Sequence, residues 1–207
     1  MPRAEKTSRR SRLSTDERRA QLLELAVQLF SDRTYEEISI DDIAAAAGVS
    51  KGLLYHYFSG KRAFYVAAVR HAAEQLLADT EPADDAPPRG MPDEADLRRG
   101  IDAYLSFVER RRVAFSFLLR GGMGGDPEVR EIVEDTRHRI LGRMLEGLGR
   151  REDDARLRIA LRGFLGFAEA ASLDWLERGD LDKGELAEML MQACISIVTL
   201  ALSAPSS

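Results

Sequence analysis

The stretch from Ser39 to Phe58 constrains the fold most, because it encodes two short helices joined by a sharp turn. Ser39 is placed to cap the first helix, Gly48 to end it in the left-handed conformation, and Ser50 to cap the second. In the second helix Leu54 stands four residues before Phe58, so these two apolar side chains share one face. The stretch therefore predicts a helix-turn-helix with one packing face and one outward face.

The outward face of the second helix suits the major groove of DNA. It carries Lys51, Tyr55, His56 and Tyr57. A lysine can donate hydrogen bonds to guanine, and an apolar side chain can contact the methyl group of thymine. We therefore expect the N-terminal half of this helix to read base edges in double-stranded DNA.

The same residues resemble a known family. The run from Gly48 to Phe58, followed by Lys61-Arg62-Ala63-Phe64, is similar to the DNA-binding signature of TetR-type (tetracycline-repressor-like) transcriptional regulators. The similarity covers roughly residues 14–75, and beyond them it is architectural only. It implies an all-α fold, with an N-terminal three-helix domain followed by a larger helical domain that binds a ligand and dimerises.

The resemblance also implies roles for single positions. Hydroxyl groups and the ammonium of Lys61 would contact phosphates, and the start of the second helix would lie nearest the base edges. The implied DNA-binding residues are Ser39, Ser50, Lys51, Gly52, Leu53, Tyr55, His56, Tyr57 and Lys61. Two departures from the family pattern mean that the operator sequence of a relative cannot be assumed for this protein. Leu53 stands where relatives often have a small hydroxyl residue, and Asp41 stands where some relatives have a basic residue that contacts bases. Core packing is the alternative for Tyr55 and Tyr57.

Length and composition favour a small domain followed by a larger one. A chain of 207 residues with 44% hydrophobic content can bury a sizeable core, and the acidic stretch 79–96, with its four prolines, cannot continue a helix. The expected divisions are a disordered basic arm at 1–12, the helix-turn-helix domain at 13–60, a connecting helix at 61–78, a linker at 79–96, and the ligand-binding and dimerisation domain at 97–207. The arm is either a solvated tail or a segment that enters a minor groove.

Charge and hydropathy limit the partners. The net charge is −5, yet residues 1–65 hold eleven Lys and Arg against nine Asp and Glu, which identifies the DNA-binding end. No apolar run reaches the roughly 18 residues of a membrane span, and the N-terminus lacks a secretory core. We therefore expect a cytoplasmic protein without membrane contact.

The single cysteine, Cys194, lies in an apolar helical pattern that favours a buried thiol over a redox sensor.

Helical patterns account for the rest of the chain. The sequence Ser14-Thr15-Asp16-Glu17 predicts a capping box at the first helix. The cluster Gly121–Gly125 favours a helix-helix turn over a phosphate cradle, because no Lys-Ser/Thr pair follows it, and Asp126-Pro127 is typical of a helix start. Further helices are predicted at about 97–119, 127–148, 153–178 and 183–202. Alternating strand patterns are absent, so the sequence predicts an all-α protein of about nine helices.

The last two of these helices are apolar around much of their circumference, which predicts burial on both sides. In the final helix the apolar positions are Leu186, Leu190, Ala193, Ile197 and Leu200. Small residues such as Gly163, Gly166 and Ala170 in the preceding helix would permit close approach. The family resemblance implies that these two helices form a four-helix bundle with a second copy, and a two-fold dimer suits a palindromic operator.

A ligand pocket is expected between the helices of the larger domain. The candidate aromatic residues are Tyr104, Phe107, Phe115, Phe117, Phe164, Phe167 and Trp175. His138, Arg162 and Glu169 are the candidate polar anchors. Ordinary core packing is the alternative for each aromatic, and Glu169 could simply pair with Arg162, two turns earlier on the same face.

Two other classes of function compete with a ligand-released repressor. An enzyme is disfavoured because His56, His71 and His138 lack metal-ligand spacing and no nucleophile elbow or P-loop occurs; no cofactor or metal is expected. A constitutive DNA binder without an effector would need only the first third of the chain. The repressor sign comes from the resemblance, and the effector itself stays unidentified.

Overall fold

A computed structural model describes residues 14–81, 94–119, 126–151 and 154–203, except for the side chain of Phe117. Within these ranges the chain forms helices and no strand, so the predicted all-α class is confirmed. The described helices are α1 (Thr15–Asp32), α2 (Ile40–Ala47), α3 (Lys51–Tyr57), α4 (Lys61–Asp79), α5 (Glu94–Arg110), α6 (Arg112–Leu119), α7 (Pro127–Gly147), α8 (Ala155–Arg178) and α9 (Lys183–Ser203).

The helix-turn-helix forms as its local signals predict. The hydroxyl of Ser39 accepts from the backbone N–H of Asp42 at 3.1 Å, and the hydroxyl of Ser50 accepts from that of Leu53 at 3.2 Å. Gly48 ends α2 with φ 61° and ψ 33°, in the left-handed region where a side chain is strained. These two hydrogen bonds and the left-handed conformation of Gly48 fix the corner between α2 and α3.

One apolar core joins α1 to α4 and continues into α7. Leu54 and Phe58 at the end of α3 are buried in it, with the Phe58 ring 5.0 Å from that of Phe64 on α4. Val129 and Ile132 of α7 belong to the same cluster. Helix α3, which is the recognition helix of the predicted helix-turn-helix, is therefore anchored to α4. Helix α4 in turn packs against α5 and α7.

Other helix boundaries are close to the prediction. The capping box at Ser14 and the N-cap at Asp126 are both present. Helix α5 begins at Glu94, earlier than the predicted Leu97, because Glu94 and Asp96 place negative charge in its first turn. The basic arm at 1–12, most of the predicted linker and the cluster Gly121–Gly125 lie outside the described residues.

The later helices pack as α5 against α9 and α7 against α8, with α8 and α9 side by side. Leu190, which together with Ile197 was expected at a dimer seam, is fully buried with Leu186 in the core of its own protomer, against residues such as Leu105 and Ala168. That expectation is wrong for Leu190, because α5 covers this side of α9; Ile197 is half-buried. Cys194 is buried as predicted, and burial raises the pKa of its thiol to about 11.

The opposite side of α8 and α9 is exposed and carries several apolar side chains among polar ones such as Gln192, Ser196 and Thr199. Ile159 and Phe167 of α8 are 67% and 40% exposed, and Met189 and Leu200 of α9 are 43% and 76% exposed. A Cβ added at Gly163 or Gly166 would meet no heavy atom within 4 Å, so packing within the protomer does not require a glycine at either position.

Helix α9 is also long and apolar enough to cross a membrane by length and composition, in contrast to the expectation from sequence. It is the one such helix in the described part of the chain. Its apolar character has an internal cause, because Leu186, Leu190, Cys194 and Val198 bury one face of the helix against α5 and α8.

Candidate nucleic-acid interface and internal cavity

The outward face of α3 presents the residues expected to read DNA. Lys51, Gly52, Leu53 and His56 are exposed, and a Cβ at Gly52 would meet only Ser50 Oγ, at 3.9 Å. The first two turns of α3 can therefore approach another surface closely. Leu53 is 37% exposed, which suits contact with a thymine methyl rather than core packing.

The two tyrosines of α3 differ. Tyr55 is 52% exposed, so core packing does not explain it. Tyr57 is half-buried against the core shared by α1 and α4, and its ring lies 5.3 Å from that of His56 in an edge-on arrangement. Tyr57 therefore packs partly against the core and keeps part of its ring at the surface, so its contact with phosphate stays a prediction.

The two capping serines also differ in what they can offer a phosphate. The Ser39 hydroxyl both accepts from the Asp42 N–H and donates to its carboxylate, at 2.7 Å from Oδ2. The Ser50 hydroxyl accepts from the Leu53 N–H, and this leaves the hydrogen of Ser50 as a possible donor. A phosphate contact by Ser39 would require its bond to Asp42 to be exchanged.

The two lysines of the interface are held by neighbouring side chains. Lys51 forms an ion pair with Asp41, and both side chains are mostly exposed. Lys61 lies 4.1 Å from the centre of the Tyr35 ring, a cation–π contact that orients its ammonium at the start of α4. Asp41 thus has a definite partner at the position where it departs from the family pattern.

A pair of charges joins the start of α4 to the start of α7. Arg62 donates two hydrogen bonds to Asp126, from Nε at 2.7 Å and from Nη2 at 2.8 Å, and its Nη2 also lies 3.3 Å from Glu128. The guanidinium lowers the pKa of Asp126, which at the same time caps α7 through the backbone N–H of Glu128. The residue next to Lys61 is therefore linked directly to the larger helical part.

An internal cavity of about 760 Å³ lies between the helices. Phe30 of α1 and Tyr65 of α4 line one part of it, and Leu190 and Val198 of α9 line another. Phe30 and Tyr65 also belong to the core around the helix-turn-helix, with their rings 4.9 Å apart. The cavity therefore borders α1 and α4, which carry the core of the helix-turn-helix, and also α9 near the end of the chain.

The predicted pocket residues divide into two groups. Those that line the cavity are Tyr104, Phe107, Phe115, Phe164 and Glu169. Those that lie outside it are His138, Arg162, Phe167 and Trp175. The side chain of Phe117 lies outside the described part of the structure.

Each of the four outside residues faces another environment. His138 and Phe167 are on exposed faces of their helices, and Arg162 forms an ion pair with Glu134. The indole N–H of Trp175 donates to the backbone carbonyl of Leu181 at 2.9 Å. The prediction is wrong for these residues because helical spacing alone does not say which side of α7 or α8 the cavity occupies.

Glu169 lines the cavity, but its partner in the structure was not predicted. Arg137 of α7 donates to both of its carboxylate oxygens at 2.7 Å, and this contact raises the pKa of the guanidinium. Nearby, the Ser172 hydroxyl donates to Tyr104 Oη at 3.3 Å, and burial raises the pKa of that phenol. Both groups have their partners within the protein.

Two further polar residues of the cavity were missed. Tyr65 is buried with no partner for its hydroxyl among the described residues, and burial raises its pKa. Arg111, at the junction of α5 and α6, has buried Nε and Nη1 atoms that also lack a described partner. The run Arg110-Arg111-Arg112 held a usable signal, since three successive side chains cannot all point in the same direction.

The third nitrogen of Arg111 connects the cavity with α1 and α4. Its Nη2 donates to the side-chain oxygen of Gln75, whose amide nitrogen donates to Glu24 at 3.0 Å. His71 Nε2 lies 2.7 Å from the same Glu24 oxygen, and this hydrogen bond lowers the pKa of the carboxyl. One chain of polar contacts therefore runs from α1 through α4 to the cavity wall.

Within the described residues, no group of three or more His, Cys, Asp or Glu side chains could hold a metal ion. The geometry thus consists of an exposed helix α3, a mostly apolar cavity, and a polar chain that joins the cavity wall to α4 and α1.

Comparison with known proteins identifies the class. Residues 22–68 match the family described as bacterial regulatory proteins, tetR family, and residues 94–197 match the tetracyclin repressor-like C-terminal domain. A crystal structure of a TetR-family transcriptional regulator from Streptomyces coelicolor is 34% identical, with a TM-score of 0.82, over 92% of this chain and 84% of that one. The chain belongs to the TetR family of transcriptional regulators.

Two curated relatives come from Mycolicibacterium smegmatis. The transcriptional activator FasR is 34% identical over 122 residues, which are 58% of this chain and 54% of FasR. The transcriptional regulator EthR is 31% identical over 100 residues, 47% of this chain and 44% of EthR. The chain therefore spans about half the length of the curated relatives that it matches.

Proposed function

We propose that this protein is a dimeric repressor that binds a palindromic DNA operator and is released by a small-molecule effector in the internal cavity. The observation that carries the proposal is the shared wall of the cavity. Phe30 and Tyr65 line the cavity and also form the core on which the recognition helix rests. A molecule that fills this space would therefore change how α1 and α4 support α3.

The proposed DNA contacts follow from exposure and chemistry. Lys51, Gly52, Leu53 and His56 would approach base edges in the major groove. Contacts to phosphate would come from Tyr55, Tyr57 and Lys61, and from the two capping serines, Ser39 and Ser50. Because Lys51 is paired with Asp41, binding would exchange that ion pair for contact with guanine.

The proposed dimer uses the exposed apolar face of α8 and α9. Ile159, Phe167 and Leu200 would be removed from water, and Gly163 and Gly166 would let a second helix approach closely. The two recognition helices of such a dimer would be presented to successive turns of DNA, which suits a palindrome. A membrane is the alternative partner for α9, and detergent-free gel filtration of the purified protein distinguishes the two.

The proposed switch acts through α4. The effector must bind the released state better than the DNA-bound state, and a coupling of about 1–3 kcal/mol changes operator affinity by roughly 5- to 150-fold. The ion pair from Arg62 to Asp126 and the contact of Arg111 with Gln75 are the polar links through which movement would pass.

Activation of transcription is a second candidate function, in place of repression. FasR is named an activator, and it is similar to this chain over about half of its length. A reporter gene placed behind the selected operator separates the two functions. A repressor lowers expression until effector is added, whereas an activator raises it.

The proposed function is tested in two steps. Selection from a random DNA library identifies the operator, and a thermal-shift screen of small molecules identifies effectors, because a ligand of the folded state raises the melting temperature. The effector must then release the operator. A protein that shows no preference over random DNA, or whose stabilising ligands never alter operator affinity, would refute the proposal.

A further inference from the structure

Arg111 occupies an unusual position for a charged side chain. It lies in the wall of the cavity, its guanidinium is 4.3 Å from the centre of the Phe107 ring, and burial lowers its pKa. Nη2 donates to Gln75, but Nε and Nη1 are buried without a hydrogen-bond partner among the described residues. Arginine remains a cation in proteins, so the site holds positive charge with unused donors.

Asp79 and Glu24 favour the charge of Arg111 electrostatically, but no carboxylate among the described residues forms an ion pair with it. Glu169 is engaged by Arg137 through both of its oxygens. Glu24, the nearest carboxylate in the polar chain, accepts from Gln75 and is hydrogen-bonded to His71. A buried cation is stable only with a compensating partner, and a carboxylate is the partner whose oxygens accept most strongly from a guanidinium.

The unpartnered atoms also define the hydrogen-bonding character of a ligand. Among the buried side-chain atoms described, those without partners are the two nitrogens of Arg111 and the hydroxyl of Tyr65, all of which can donate. The remaining lining is largely apolar, with Leu76, Phe164 and Val198 as examples. The complementary molecule therefore offers acceptor oxygens to a donor such as Arg111 and hydrocarbon elsewhere.

We propose that the effector is an amphiphile with a single carboxylate head group, bound by Arg111, and an alkyl or similarly apolar tail in the rest of the cavity. The inference rests on the proposed function, in which the cavity is the effector site. A carboxylate on Arg111 would also compete with Gln75 for the guanidinium. The head group would thus act directly on the polar chain that reaches α4 and α1.

The test compares decanoate with decan-1-ol by isothermal titration calorimetry. The two probes share a tail and differ in charge, so wild-type protein should bind decanoate at least about tenfold more tightly. R111Q should abolish that preference while leaving decan-1-ol affinity unchanged, and R111K should keep part of it. R112Q is the matched control, because Arg112 is the exposed neighbour outside the cavity and donates to the backbone carbonyl of Leu176 at 2.8 Å. Circular dichroism melts establish that each variant is folded.

Chain length provides a second readout. From octanoate upward, each added methylene should raise affinity by about fourfold until the cavity is filled. Equal affinity for decanoate and decan-1-ol, or an undiminished preference in folded R111Q, overturns the carboxylate assignment while the effector function stands. If no carboxylate of any length binds but another compound from the screen releases the operator, the assignment is overturned and the proposed function survives.

Discussion

The surface of α2 and α3 and the internal cavity use polar groups in opposite ways. On the surface, partners lie close in sequence and in water: Ser39 with Asp42, and Lys51 with Asp41. In the cavity, Glu169 is held by Arg137 from another helix, and Arg111 keeps two donors without a described partner. Under the proposed function, surface pairs are exchanged for DNA at little cost, whereas the cavity would select a ligand through buried donors that are costly to leave unpaired.

The largest expected contrast is between buried and exposed leucines of α9. Leu190 is fully buried and Leu200 is 76% exposed. L190E buries a carboxylate in the core of the protomer and should lower the free energy of unfolding by about 4 kcal/mol or more. L200E should stay folded but elute as a monomer. Thermal unfolding and size-exclusion chromatography with light scattering measure both, and a dimeric L200E would remove the proposed seam.

The two lysines of the DNA surface should fail differently. K51A should cost about 1–3 kcal/mol on the selected operator and relax base preference, because Lys51 is assigned to a base edge. K61A should weaken binding to all DNA sequences alike, because Lys61 is assigned to phosphate. It should also reduce the slope of log affinity against log salt concentration by about one. Fluorescence anisotropy at several salt concentrations separates them. Equal losses on specific and random DNA for both variants would show that these roles are misassigned.

A smaller effect is expected from the unpartnered phenol of the cavity. Y65F removes a buried hydroxyl with no described partner, and it should raise the free energy of unfolding by about 1 kcal/mol. Y35F is the comparison, since Tyr35 lies in the same aromatic group, 5.1 Å from Tyr65, but is only half-buried. A clear loss of stability in Y65F, measured by urea unfolding, would reveal a partner for the hydroxyl.

The smallest effect concerns pH and the link between α4 and α7. Arg62 lowers the pKa of Asp126, so the carboxylate stabilises the fold above its unfolded pKa of about 3.9, and this contribution is lost as pH falls through the lower folded value. D126N keeps an oxygen for the helix cap but removes the charge. The variant should therefore lose less stability than wild type between pH 4 and about pH 2. Parallel acid-unfolding curves for the two proteins would contradict this link.

Predictability from sequence follows the distance between partners. The caps at Ser39 and Ser50 and the turn at Gly48 depend on residues within a few positions, so the recognition helix could be predicted from local rules. The pairing of Arg137 with Glu169 spans two helices, and the helical repeat alone suggested Arg162 instead. Which face of a helix meets a cavity depends on packing across the whole chain.

The same reasoning explains two of the errors on α8 and α9. Phe167 was expected in the pocket and Leu190 at the seam, but Phe167 is exposed and Leu190 is buried in its own protomer. Both helices are apolar on more than one side. Their composition therefore predicted one apolar face inside the protomer and one against a second copy, but not which residues lie on each face. The packing of α5 against α9 determines which face of α9 is buried within the protomer.

The most direct test of the account is a titration of the selected operator with wild-type protein, with and without the strongest stabilising ligand from the screen. The account predicts two protomers for each palindromic site, affinity at least about 10³-fold above random DNA, and a roughly 5- to 150-fold loss of affinity with ligand. Binding by single protomers, or an operator affinity that the ligand leaves unchanged, would contradict it.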